Sequence, residues 1–412
     1  MSSSTTRRRK SHAGIDAALA NDPSHHITDP FLPQTPLGTP TPTSSRAPSP
    51  VPRVPPPPQV SPWIRWAIDP VLALKILTVP VVAYLNWELL TPLGFPTKQI
   101  PNPFAPCFLL SNPVASSPPD NPRYAKSWGD LAFIAYHIVF FSLVRQVVTI
   151  TICNPIAKYF GIRKEGKLAR FGEQGYALVY FAIMGAWGYR IMSQLPTYWY
   201  RTEYFWIDYP HWDMKPELKR YYLTHMSYWA QQLLVMVLNL EKPRKDYWEL
   251  VAHHIVTIWL VSWSYLMNLT LIGNAVYMSM DIPDAFFAFA KLLNYIQWDR
   301  AKAGAFVVFV GMWTYFRHLL NLRILWSVWF EYDLIPETSK RWAWQEGIYL
   351  AGWMRYQVFI PLLLLQLLNL FWYYLILKIL VRAITAPTAI DDDRSDDEGD
   401  DDEPSAKGSK DD

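Results

Sequence analysis

Four side chains stand where residues of their type are costly to place. The run VAHHIVTIWLVSWSYL, residues 251–266, is almost wholly apolar but carries adjacent His253 and His254. A second apolar run, AVYMSMDIPDAFFAF at 275–289, carries Asp281 and Asp284. Imidazole can serve near neutral pH as acid, base, nucleophile or metal ligand. A carboxylate can serve as base, metal ligand or counter-charge. Three residues apart, Asp281 and Asp284 share one face of a helix. A charge at the centre of a membrane helix costs roughly 2.5–3.5 kcal/mol on insertion scales. Such groups therefore face a bundle interior or a wet cavity and are functional candidates. Single intramembrane histidines mostly pack or hydrogen-bond, and His137 and His318 are read that way. A paired imidazole beside two carboxylates is read as a site. Metal binding is the rival reading. Successive helical residues point about 100° apart, so His253 and His254 cannot easily share one ion, and no metal is assigned.

The elements that must hold these groups are helices. Eight apolar segments approach the ~20 residues needed to cross a bilayer: roughly 68–90, 130–153, 174–194, 219–239, 248–270, 272–294, 303–329 and 354–381. The third is interrupted by Gly185 and Gly188. The fifth and sixth carry the histidines and the aspartates. A turn of only a few residues, Leu269 to Gly273, makes them antiparallel neighbours, so imidazoles on one can reach carboxylates on the other. Glu249, four residues before His253, is placed to orient its ring. The fold class expected is an all-α polytopic membrane protein.

Loop charge supplies an orientation. Basic residues gather at 154–173 (Lys158, Arg163, Lys164, Lys167, Arg170), at 240–247 (Lys242, Arg244, Lys245) and near 295–302 (Arg300, Lys302). These are alternate loops, on the side of the RRRK run at 7–10, and the positive-inside rule makes that side cytosolic. An even number of spans puts both termini there.

The two ends of the chain differ from its middle. Of the 412 residues 51% are hydrophobic, yet mean hydropathy is only +0.01, because the apolar residues concentrate between about 66 and 382. Residues 1–62 are rich in Ser, Thr and Pro and are expected to form a disordered cytosolic arm. A first span and Pro-rich lumenal loop fill 63–129, and a catalytic membrane domain is expected over 130–382. Residues 383–412 form an acidic, disordered tail. A net charge of +3 suggests no nucleic-acid partner. Many of the 20 Trp and 24 Tyr sit at the edges of apolar runs, as in interfacial belts. The topology puts Cys107 and Cys153 on opposite sides of the membrane, unable to pair. Asn268-Leu-Thr270 is a glycosylation sequon in a tight turn at the membrane, where use is not expected. Ser395, followed by acids, suits an acid-directed kinase as well as a plain solvated tail.

The run LNLEKPRKDYWELVAHHIVTIWLVSWSYLMNLTLIGNAVYMSMDIPDAFFAFAKLLNY, residues 238–295, resembles the longevity-assurance motif of ceramide synthases. WTYFRHLLNLRILWSV at 313–328 is similar to the fungal branch of that family. Its KPRKD, HH, MDIPD and AKLLNY elements come in order and at family spacing. The homeodomain-like insert of many animal members is absent from 91–129, which is short, Pro-rich and not basic.

The resemblance implies a TLC domain in the endoplasmic reticulum membrane, with about six spans forming a barrel around an acyl tunnel. It implies transfer of a fatty acyl group from acyl-CoA to the amine of dihydrosphingosine or phytosphingosine, with acyl-CoA as substrate and no cofactor. It carries the catalytic role over to His253, His254, Asp281 and Asp284. A thioester must meet an amine that is protonated at neutral pH, so a base is needed, and imidazole suits the task. An acyl-imidazole on His253 is the preferred course, with His254 and the aspartates orienting or deprotonating. Lys242, Arg244 and Lys245 are candidates for the coenzyme A phosphates, though the positive-inside rule also accounts for them. Glu249, Arg317 and Asn294 complete the expected substrate-binding set. Arg317, inside the seventh span, must pair with an acid or snorkel. Expected partners are acyl-CoA, a sphingoid base, the bilayer, a small single-span accessory subunit, and a second copy or paralogue as homo- or hetero-dimer. The alternative is a non-enzymatic TLC-domain protein, a lipid sensor or translocation-associated factor. Retention of both histidines and both aspartates speaks against it.

Overall fold

The computed structural model describes residues 61, 63–91, 101–240 and 246–385. Most of the expected N-terminal arm and the acidic tail with Ser395 lie outside the described residues, as do Lys242, Arg244 and Lys245. Among the described residues, eight helices are 20 residues or longer. They are α1 Pro70–Leu90, α2 Gly129–Tyr159, α3 Glu165–Met192, α4 Pro216–Val237, α5 Tyr247–Leu266, α6 Thr270–Tyr295, α7 Asp299–Phe330 and α8 Met354–Thr385. Four of them, α1, α2, α7 and α8, are long and apolar enough to cross a membrane. In two of the other four, buried polar groups contribute: Tyr221, Tyr222 and His225 on α4, and Asn274, Ser279 and Asp281 on α6. That lowers their mean hydropathy without moving those side chains to the surface.

Local rules explain the ends. Asp69 caps α1, its Oδ1 accepting from the Val71 and Leu72 amides at 3.0 and 3.2 Å, and Pro70 occupies the first turn, where a missing N–H costs nothing. The basic stretch 154–173 is mostly helical and not a loop. α2 runs on through a π-helical turn at Val148–Cys153 to Tyr159, and α3 begins at Glu165. Only 160–164 connect them, turning at Gly161, whose φ is +84°. Gly185 and Gly188 do not interrupt α3 either. They let neighbours approach: a Cβ on Gly188 would lie 2.5 Å from Tyr221 Oη, and one on Gly185 would lie 3.1 Å from Ile282 Cγ1.

The helices α3 to α8 pack in a closed circuit: α3 on α4, α4 on α5, α5 on α8, α8 on α7, α7 on α6, and α6 back along α3. α2 lies against α4, and α1 against α2. The outward faces are aliphatic, with Val79, Leu89, Leu367 and Ile384 all exposed.

The long connections are stitched together. Strands β1 (Tyr124–Ala125) and β2 (Asp213–Met214) pair antiparallel and join the loop before α2 to the loop before α4. Tyr209 Oη donates to the Met267 carbonyl at 3.0 Å, and Asn268 Nδ2 donates to the Gly347 carbonyl at 2.8 Å. Asn268 is thus buried and engaged in the fold, which fits a sequon that carries no glycan. A buried ion pair fixes this layer: Lys219 Nζ lies 2.8 Å from Asp130 Oδ1 and also donates to the Ser111 and Ala125 carbonyls. Asp130 accepts further bonds from Ser111 Oγ, the Ser127 amide and Tyr265 Oη at 2.7 to 2.8 Å. Every strong polar position of that pair is filled, the condition under which a buried ion pair is tolerated.

The close approaches make a test. A Cβ on Gly273 would overlap the Tyr222 hydroxyl, which is bonded to Ser264 Oγ, whereas a Cβ on Gly304 of α7 meets nothing within 4 Å. Gly273→Ala is expected to destabilise the protein by ~1–3 kcal/mol through overpacking. Gly304→Ala should be neutral or stabilising by up to ~1 kcal/mol from helix propensity. Thermal unfolding of the two variants in detergent checks this; equal melting temperatures would refute the α4–α6 packing described.

Candidate functional site

The second turn of α5 carries His253 and His254, and both side chains turn inward. His253 is 8% exposed and His254 6%. Their ring centroids are 5.8 Å apart and the rings stand at 89°. Trp229 of α4 meets both edge-on, at 5.7 and 5.6 Å, so the indole sets the angle between them. Trp372 of α8 meets His253 edge-on at 5.3 Å, and its Nε1 donates to Asp246 Oδ2 at 3.3 Å.

The two imidazoles have different partners. His254 Nδ1 lies 2.8 Å from the Leu250 carbonyl, which can only accept. Nδ1 therefore carries the proton, and Nε2 of a neutral His254 has a free lone pair. His253 Nε2 is 3.5 Å from Thr257 Oγ1, and its Nδ1 is buried with no partner. The partner of His253 is thus Thr257 and not Glu249. The ring is held by a residue four positions after it, on the face that also points inward.

α6 brings Asp284 to the same place. Asp284 Oδ1 lies 2.6 Å from Arg317 Nη2 of α7. The guanidinium has further partners: Nη1 donates to Asn369 Oδ1 at 3.0 Å, Nη2 to the Met280 carbonyl at 3.2 Å, and the group lies 4.2 Å over the Trp313 ring. Arg317 sits on a π-helical turn, Thr314–Leu320, a backbone irregularity that recurs at functional sites. Of the two fates expected for Arg317, it takes the pairing.

His253, His254, Asp284, Arg317, Trp229 and Trp372 line one cavity of about 260 Å³. Arg170, Glu173, Asp246 and Tyr247 also line it, near the starts of α3 and α5. The cavity therefore holds a nitrogen base, a second imidazole without a partner on one nitrogen, a carboxylate, and a cation able to stabilise developing negative charge. That set suits acyl transfer or proton abstraction.

Asp281 is not among the residues that line it. It is 1% exposed, and its carboxylate faces His225 of α4, whose Nε2 lies 3.2 Å from Oδ2. The shared helical face seen in sequence puts the two aspartates one turn apart, but different neighbours cover each turn. Asn294 is in the last turn of α6, roughly 15 Å along the axis from Asp284 at 1.5 Å per residue, and Glu249 is likewise outside the lining. Among the five histidines of the expected spans, His225 is the one to which the sequence attaches no role. Its signal was available: it stands in an apolar helix among Tyr221, Tyr222 and Tyr228. His137 and His318 are engaged, by the Phe133 carbonyl and by Gln366, both at 2.8 Å. Among the described residues, no group of three or more His, Cys, Asp or Glu is arranged to hold a metal ion.

Known proteins are similar to this chain in sequence. Residues 170–378 match the TLC domain family, a span that includes the whole cavity. Sphingosine N-acyltransferase lac1 of Schizosaccharomyces pombe is 38% identical over 328 residues, which cover 80% of this chain and 81% of that protein. Ceramide synthase LAG1 of Saccharomyces cerevisiae is 37% identical over 286 residues, 67% and 66% of the two chains. Ceramide synthase 4 of Bos taurus is 32% identical over 228 residues, 55% and 54%.

The ion pair at the cavity yields a stability prediction. Arg317→Ala leaves the Asp284 carboxylate without its cation and is expected to cost about 3–5 kcal/mol. Adding Asp284→Asn removes the stranded charge, so the double variant should be more stable than Arg317→Ala alone. Detergent-phase unfolding of Arg317→Ala, Asp284→Asn and the double variant decides it. Additive losses would mean the pair is not coupled.

Proposed function

The chain belongs to the longevity-assurance ceramide synthases of the TLC-domain family, and on that premise we propose how its residues divide the reaction. It is an acyltransferase, a sphingosine N-acyltransferase, and a multi-pass membrane protein whose substrates are acyl-CoA and a sphingoid base. The relatives' names favour this over a lipid-sensing or translocation-associated role.

The reading of the site rests on one observation: His253, His254, Asp284 and Arg317 meet at one cavity inside the bundle. The thioester enters by the end lined by Arg170, Asp246 and Tyr247, with Lys242, Arg244 and Lys245 taking the coenzyme A phosphates. His253 attacks the thioester carbonyl; the C–S bond breaks and coenzyme A leaves as the thiol. The lone pair on His254 Nε2 takes the proton of the incoming ammonium. The amine then attacks the acyl-imidazole, forming the amide and freeing His253. Arg317 holds Asp284 in place and stabilises the tetrahedral oxyanion. Glu249 and Asn294 serve substrate binding only from outside the cavity. No cofactor takes part.

The eight helices all cross the membrane of the endoplasmic reticulum, and the circuit α3 to α8 is the TLC-type barrel around the acyl chain. Both termini are cytosolic. The base is dihydrosphingosine or phytosphingosine, and a single-span accessory subunit or a second synthase chain binds the outer helices.

Microsomes carrying the chain in a host without ceramide synthase, given a panel of acyl-CoA lengths and both bases, should form ceramide by mass spectrometry. His253→Ala and His254→Ala should each lower the rate by ~10²–10⁴ at unchanged protein level. Wild-type rates in both variants would remove the catalytic assignment. For the topology, a tag after Asp412 should be cut by protease added to sealed microsomes, and a protected tag would mean an odd number of crossings.

A further inference from the structure

Asp281 has no place in the cavity, yet it is an acid buried at the centre of the bundle. His225 Nε2 lies 3.2 Å from its Oδ2. The other nitrogen of that ring, Nδ1, lies 3.1 Å from Tyr180 Oη. Three helices, α3, α4 and α6, thus bring a hydroxyl, an imidazole and a carboxylate into one line. The imidazole is fully buried and held on its faces and edge: Tyr277 stacks on it at 4.0 Å and Tyr221 meets it edge-on at 4.5 Å. The approach of His225 Nε2 to Asp281 is close but lacks hydrogen-bond alignment, and neither Asp281 oxygen has another partner. Packing alone does not call for such a pair, since apolar residues of the same volume are commonly as stable or more so.

We propose that Tyr180, His225 and Asp281 form a proton-holding relay behind the cavity, in which Asp281 acts through His225 as a positioning residue. The proposal rests on the N-acyltransferase reading. A sphingoid ammonium and a thioester become an amide, a thiol and one free proton: one C–N bond forms, one C–S bond breaks, and nitrogen loses two protons while sulfur gains one. The extra proton must leave an apolar interior. Asp284 faces the cavity, and Asp281 is one turn further along the same helix face. In the resting relay the Tyr180 hydroxyl donates to Nδ1, and Nε2–H faces the Asp281 carboxylate. When a proton arrives, Nδ1 binds it, the hydroxyl turns to accept, and the imidazolium stays paired with Asp281. This neutralises the pair and relieves its repulsion of Asp284. The other titratable or charged groups around the relay are Tyr176 on α3, Tyr221 and Tyr228 on α4, Tyr277 and Asp284 on α6, Tyr200 from the connection before α4, and Arg317 through Asp284.

The test uses the full chain in microsomes, with dihydrosphingosine and the acyl-CoA the wild type uses best. His225→Gln and Asp281→Asn should each lower kcat by about 10–100-fold, with KM for acyl-CoA unchanged. The deficit should shrink as pH rises, because solvent base then takes the proton. The double variant should be no slower than either single one. Tyr180→Phe removes only the hydroxyl and should shift the kcat–pH profile with a smaller loss. Wild-type kcat and pH profile in His225→Gln would overturn the relay. So would a loss that is independent of pH and additive with Asp281→Asn, which would mark a structural role. If His225→Gln fails to accumulate, Tyr180→Phe decides by its pH profile alone. Ceramide formation by the wild type tests the underlying reading separately.

Discussion

Arg317 and Asp284 face each other at 2.6 Å inside a bundle whose outward surfaces are aliphatic. Neither charge could stay there alone, because an unpaired ion in such surroundings is among the costliest features a fold can carry. Much of the α6–α7–α8 packing follows from that need. Asn369 of α8 accepts from Arg317, and beside it Gln366 bonds both Asn321 and His318, at 2.7 and 2.8 Å. Thr314 meets Tyr373 at 2.9 Å. These contacts tie α7 to α8 along the segment where α7 leaves regular helical geometry. The pair also gives the cavity its polar wall. If one ion is lost, the other is stranded at the cavity wall.

The opposite requirement is met at the stitched loops. Lys219 and Asp130 are buried as deeply as the cavity pair, but every partner they have is structural. They join the loop before α2 to α4 and α5, so that a sealed layer covers one end of the helices. Two buried ion pairs in one fold thus have different consequences. One is saturated by protein groups and holds the layer. The other borders open space, where a substrate can supply the missing contacts.

The helices were legible because their apolar runs are long, and the eight expected segments correspond to α1 through α8 with ends shifted by a few residues in most cases. The exceptions have physical causes. The basic residues at 154–173 look like a loop, but charges are tolerated in helical turns that project beyond the apolar core, so α2 and α3 extend into that region. The site was legible in its types and only partly in its grouping. His253, His254 and Asp284 meet as expected, and Arg317 joins them. Asp281 turns to His225 instead, because spacing fixes which face of one helix a residue shares and says nothing of which neighbouring helix covers each turn. For the same reason Glu249 looked like a partner of His253, while Thr257, on the other side in sequence, is the residue in reach. Trp229, Trp372 and Asn369 left no sequence signal beyond their apolar surroundings.

The central claim is that His253 receives the acyl group before the amine arrives. Its Nδ1 is buried and unpartnered at the cavity wall, while the neighbouring His254 keeps a lone pair for the proton. Intact-mass analysis of the protein incubated with acyl-CoA alone tests this directly. The account predicts a mass increase of one acyl group, coenzyme A released at roughly one per active site as a covalent half-reaction requires, and neither in His253→Ala. An unchanged mass, with coenzyme A released only when the sphingoid base is also present, would contradict it.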